Sequence, residues 1–111
     1  MLDSLMEIRH KMVLFASLNS SITIDEIKQR IDDAVLDEHY ILDLVGLAAI
    51  LNEFSVLEYL VELYPNIDYS SKFTGEEIPL RKPEDITSYE HARFLITKQL
   101  LEKYNIKYSL I

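Results

Sequence analysis

The chain has no cysteine and no tryptophan, and only two glycines and three prolines in 111 residues. Without cysteine there are no disulfides, thiolate metal sites or thiol nucleophiles, and a disulfide-free domain of this size fits the cytoplasm. Two glycines, Gly46 and Gly75, cannot build a phosphate-cradling loop. The longest strongly apolar run, Ile41 to Leu51, is broken by Asp43 and is too short to cross a bilayer. Asp3, Glu7, Arg9 and Lys11 stand among the first twelve residues, which does not read as a secretory leader. His10, His39 and His91 lie in separate segments without zinc-ligand spacing, and no serine sits in a nucleophile elbow. The expectation is a non-enzymatic protein with no cofactor and no metal.

What is present argues for a folded helical domain. Apolar residues make up 49% of the chain, too many for disorder, and 111 residues suffice for one core but not two. The segment Val13 to Asn19 is echoed 33 residues later by Gly46 to Asn52. Apolar character persists at that interval, with Ile24 preceding Leu57, Ile27 preceding Leu60, Ile31 preceding Tyr64 and Ala34 preceding Ile67. A period of this length in a helical chain implies stacked helix-turn-helix units. Such units bury a core against their neighbours and leave a surface for a partner.

Apolar spacing predicts a first helix ending near Asn19 and a second opened by Ser21 or Thr23 and closed by Asp32 and Asp33. Leu36 to Tyr40 reads as a polar connector. Asp43 then caps a helix over Leu44–Leu51 that Asn52 ends, and Ser55 opens another that Pro65 stops. Residues 66–83 read as a loop or irregular hairpin turning at Gly75, with Pro83, Glu84 and Asp85 as the first turn of a short helix. A last helix runs from Tyr89 or Glu90 to Tyr104 with Ala92, Leu95, Ile96, Leu100 and Leu101 buried, and residues 105–111 form a tail of strand-like composition.

These residues resemble ankyrin repeats. The best unit is Asp43-Leu44-Val45-Gly46-Leu47-Ala48-Ala49, then Asn52-Glu53 at the hinge, the apolar pairs Val56-Leu57 and Leu60-Val61, and the exit Asn66-Ile67-Asp68. An earlier copy supplies Leu14-Phe15-Ala16, Asn19, Ile24, Ile27 and Ala34-Val35, and a weaker third begins at Lys82 and continues with Leu95-Ile96 and Leu100. The Thr-Pro-Leu-His turn of that family is absent from the first two copies. The resemblance implies an all-α, single-domain array of about two and a half to three degenerate units, approximately 4–35, 36–68 and 69–104, with irregular hairpin connectors. It also implies a module that binds another protein through loop tips and the inner helix face, without chemistry of its own.

Charge indicates what kind of partner. Between Asp25 and Asp68 stand eleven carboxylates against Lys28 and Arg30 only, so the whole deficit of −8 lies there. Such a field disfavours nucleic acid and anionic membrane and speeds encounter with a basic protein. Asp37, Glu38, His39, Tyr40, Tyr69, Phe73, Glu76 and Glu77 are the expected contact residues, because aromatic and acidic side chains on connectors suit a basic, partly apolar target. A second reading is a small acidic immunity or antitoxin-type inhibitor that covers a basic toxin or nuclease. The N-terminal helix and the tail after Tyr104 are the elements that would cap the array or pair with a second copy.

Overall fold

The computed structural model describes residues 2–17, 21–69 and 77–111. Asn19, Phe73, Gly75 and Glu76 lie outside them. The described chain forms five helices, α1 (Leu2–Ala16), α2 (Ile24–Asp33), α3 (Glu38–Ile50), α4 (Phe54–Leu63) and α5 (Tyr89–Lys103), and two short strands, β1 (Ile78–Leu80) and β2 (Tyr108–Leu110). Two rows result: α3 packs against α1 and β1, and α4 against α2 and α5, while α1 packs on α2 and α3 on α4. A helix with its side chains is about 10 Å thick, so two layers account for the smallest extent of 19 Å.

Local sequence explains most boundaries. Thr23 caps α2 by accepting from the Glu26 amide at 3.3 Å. Asp25 and Glu26 then meet the positive end of the helix dipole, and Arg30 the negative end. Ile27 and Ile31, one turn apart, are its fully buried residues. Helix α3 starts earlier than the connector reading expects. Asp37 accepts from the Tyr40 amide at 2.9 Å and caps it, so Glu38, His39 and Tyr40 form the first helical turn. Asp43, expected as the cap, instead sits in mid-helix and pairs with Arg9 of α1. Ile41, Leu42, Leu44, Val45, Ala48 and Ala49 are buried, which places α3 at the centre of the core.

Helices α3 and α5 stop in the same way. Asn52 and Asn105 have φ of 54° and 58°, a region where asparagine carries less steric penalty than most residues. Around Asn52, Glu53 N donates to Ala48 O at 2.9 Å and Asn52 N to Ala49 O at 3.0 Å. Around Asn105, Ile106 N donates to Leu101 O at 2.8 Å and Asn105 N to Glu102 O at 3.2 Å. These bonds satisfy the last carbonyls of each helix, and Ile106 is buried beyond the second. Helix α4 ends at Leu63, two residues before Pro65.

The fold is mostly helical, with one addition. Strands β1 and β2 pair in parallel, Ile78 beside Tyr108 and Leu80 beside Leu110, with α5 as the crossover. Ile78 N donates to Lys107 O at 3.1 Å, so alternation along the strand turns Pro79 toward the opposite edge. A proline there has no amide to offer and discourages further pairing on that edge. The strand-like tail thus has its partner within the chain. Residues 83–85 are not helical: Asp85 accepts from the amide and hydroxyl of Thr87 at 2.9 and 2.7 Å, forming the turn before α5. Those bonds hold the Asp85 carboxyl below its usual pKa.

Ser88 caps α5 by accepting from the His91 amide at 3.1 Å. The buried face of α5 is Phe94, Thr97, Leu100 and Leu101, whereas Ala92, Leu95 and Ile96 of the expected set are exposed. Burying Thr97 is affordable because its hydroxyl donates to the Arg93 carbonyl one turn back at 3.0 Å.

Candidate partner-binding surface

The first turn of α3 separates two grooves, and the expected contact residues divide between them. One groove, of about 370 Å³, runs between α1, α3 and the start of β1. Leu42, Leu47 and Ile78 give it apolar walls, His39 adds a polar ring, and Glu77 and the Arg9–Asp43 ion pair give it charge. His39, Asp43 and Leu47 recur every four residues, so they line one stripe of α3 that continues to Ile50, which is 50% exposed. On α1, Met6 and Val13 flank Arg9 on the same side of the helix and are themselves about half exposed, at 51% and 50%. The α1–α3 row therefore presents an apolar surface interrupted by one cross-helix ion pair.

The other groove, of about 420 Å³, lies where α3 begins and α4 ends. Leu36, Ile41, Leu63, Tyr64, Pro65 and Ile67 line it together with Glu38 and Asn66, so its surface is mixed, nearly half of it polar. No lysine or arginine occurs between Arg30 and Lys72, so this end of the molecule has only acidic charge in its own sequence.

Among the expected residues, Glu38, His39 and Glu77 are exposed and border these grooves. Asp37 is exposed but engaged as the α3 cap. Tyr40 is half-buried against the core. Tyr69, expected as a loop anchor, is 4% exposed, and its hydroxyl donates to the Tyr64 carbonyl at 2.8 Å. Burial pushes its pKa up to about 12. A tyrosine closing the α4 exit loop has both an apolar body to bury and a hydroxyl able to satisfy a loop carbonyl, and here both are used inward. Phe73 and Glu76 lie outside the described residues.

Sequence reasoning missed the partners that cross between elements. Arg93 of α5 pairs with Glu53 at the α3–α4 hinge, and its Nη2 donates to the Asn52 carbonyl at 2.9 Å. On the outer row, the Tyr59 hydroxyl donates to Asp32, which raises the Tyr59 pKa to about 12, and Lys28 lies 5.1 Å from the centre of the Tyr59 ring. A partner far away in sequence has no local signature, so none of these pairs could be found by spacing alone. No group of three His, Asp or Glu side chains among the described residues is arranged to hold a metal. Nor is any described helix long and apolar enough to cross a membrane. No family model, curated protein or solved structure matches the chain.

Proposed function

We propose that this protein is a non-enzymatic binding module of ankyrin type, working in the cytoplasm and receiving a basic, partly apolar protein on the α1–α3 row. The observation that carries this reading is the pattern of packing. First helices α1 and α3 stack side by side, second helices α2 and α4 do the same, and each pair packs internally. Stacked pairs of this kind bury their core between neighbours and leave one row free for a partner. On the α1–α3 row, Met6, Val13 and Ile50 remain half exposed around a groove. The charge of −8 favours a basic target and disfavours nucleic acid.

A photo-crosslinking amino acid placed at Val13 or Ile50, expressed in the native cell, tests the reading. The expected result is one defined protein adduct at both positions and none at Glu58, on the outer surface of α4. Equal labelling at Glu58 sinks it.

The inhibitor reading has an observation of its own. The outer row exposes Asp25, Asp32, Asp33, Glu58 and Glu62, a field that would speed capture of a basic enzyme surface. The same labelling separates the two: an adduct at Glu58 alone, forming with a rate that falls steeply with salt, favours the inhibitor.

A further inference from the structure

A third cavity, of about 400 Å³, lies where α1 and α3 end and α5 begins. Its size falls within the roughly 300–1,000 Å³ typical of small-molecule sites. Ile50, Leu51 and Pro83 give it apolar wall, and Arg81, Glu90 and Arg93 bring charge. Local structure places each charged group. Arg81 directly follows β1, which β2 holds in register. Glu90 stands in the first turn of α5, opened by the Ser88 cap, where the helix dipole favours a carboxylate. Arg93 comes three residues later, so it and Glu90 are neighbours on one face of the helix. Its bonds to Glu53 and to the Asn52 carbonyl both use Nη2, so the Nε and Nη1 donors remain.

Two charges in this cavity are uncompensated, one of each sign. In the α1–α3 groove Arg9 is paired with Asp43, and here Arg93 is paired with Glu53. The side chains of Arg81 and Glu90, both exposed, have no ion-pair or hydrogen-bond partner among the described residues. They line one cavity without pairing with each other. A ligand that meets both must carry an anionic and a cationic group together, with an apolar body to cover Ile50 and Leu51. A simple anion is repelled by Glu90, and a simple amine by Arg81. We propose that the cavity binds a free α-amino acid with an apolar side chain. Its carboxylate accepts from the Arg81 guanidinium, with Arg93 as a second donor, and its ammonium donates to Glu90. Its side chain lies against Ile50, Leu51 and Pro83. This site goes beyond the partner-binding reading, because its charged groups come from α5 and the segment after β1 rather than from the α1–α3 row.

Titrating the isotope-labelled chain with L-leucine, L-methionine and L-phenylalanine, followed by amide chemical shifts, tests it. The expected result is saturable movement of the Ile50, Arg81 and Glu90 amides below about 10 mM for at least one of the three. The N-acetyl derivative of that amino acid lacks the ammonium and mimics a peptide C-terminus. Its amide derivative lacks the carboxylate and mimics a peptide N-terminus. Each binds about tenfold or more weakly, because one charge of the site is left unmet. Arg81→Met and Glu90→Gln weaken binding of the free amino acid by a similar factor, and unchanged circular dichroism melts establish that both variants fold. Glu90→Gln also loses the preference for a free ammonium, and Arg81→Met the preference for a free carboxylate. The proposal is overturned by the absence of saturable shifts up to about 10 mM, by derivatives that bind as tightly as the amino acid, or by variants that keep wild-type affinity. None of these outcomes alters the crosslinking expected at Val13 and Ile50.

Discussion

Replacing Arg93 by methionine is expected to destabilise the fold strongly, because it strands a buried carboxylate. The guanidinium joins α5 to the α3–α4 hinge, pairing with Glu53 and donating to the Asn52 carbonyl at 2.9 Å. Glu53 is 6% exposed and, although it stands at the cap position of α4, its side chain makes no cap bond. Arg93→Met keeps the aliphatic stem and removes the charge, leaving a buried carboxylate without its cation. Breaking such a pair costs about 3–5 kcal/mol. The Arg93 side chain retains 20% of its exposure, so water reaches the site and the lower value, about 3 kcal/mol, applies.

In a domain whose total stability is about 5–15 kcal/mol, such a loss lowers the melting temperature by about 10 °C or more. Replacing both partners by methionine removes the stranded charge as well. The double variant Glu53→Met/Arg93→Met is therefore more stable than Arg93→Met alone, with a coupling of about 2 kcal/mol. Urea unfolding followed by circular dichroism measures all four proteins, and an unchanged dependence on denaturant is required for comparison. Additive losses would falsify the idea that Glu53 depends on Arg93. A double variant less stable than either single one would do the same.

Other changes separate the roles of neighbouring residues. Asp37→Ala removes the α3 cap and costs about 1 kcal/mol in urea unfolding, and a stability equal to wild type would contradict its capping role. Asn52→Gly and Asn105→Gly relieve the same left-handed strain, but only Asn52 has a buried Oδ1 without a hydrogen-bond partner. Asn52→Gly therefore gains more, by about 1 kcal/mol, and the prediction fails if Asn105→Gly gains as much. Tyr69 is raised from 10.0 to about 12 in the folded state. Its contribution is complete below pH 10, where both states are neutral, and is lost as pH climbs toward 12, because the unfolded state ionises first. Tyr69→Phe should flatten that alkaline decline in melts taken across the same window, and an unaltered decline would assign it to other groups. Leu57→Ala, at a fully buried α4 position, should cost about 2–5 kcal/mol, and a loss below about 1 kcal/mol would contradict its placement in the core.

Helices were legible where their ends are written in local chemistry. Thr23 opens α2, Asp33 closes it, Asn52 ends α3, Pro65 follows the end of α4, and Tyr89 begins α5, all at or within two residues of the expected positions. The start of α3 was less legible because the sequence pattern places the cap at Asp43 and Asp37 in a connector. Asp37 won, since beginning there adds a turn that buries Ile41 and Leu42 while Asp43 gains Arg9. The candidate surface was legible only in part. Acidic character and exposure follow from composition, which is why Glu38, His39 and Glu77 stand at groove borders. Tyr69 turned inward because its environment depends on tertiary packing that no spacing rule records.

The 33-residue echo gains a physical meaning from the connectors. Helix α1 ends at Ala16 and α3 at Ile50, close to that interval, but α2 and α4 begin at Ile24 and Phe54, only 30 residues apart. The difference arises at the hinges: residues 17–23 join α1 to α2, whereas 51–53 suffice between α3 and α4. Leu57 and Val61 thus stand where Ile27 and Ile31 stand in the earlier helix, and all four are buried. The pattern then changes next to α3. Strand β1 packs on α3, as α1 does, and α5 packs on α4. A strand is thinner than a helix of about 10 Å, so it leaves space beside α3, and the 370 Å³ groove opens at that junction. Among the described residues the groove thus lies where a strand packs beside α3, and α1, α3 and β1 hold its lining side chains on three separate elements.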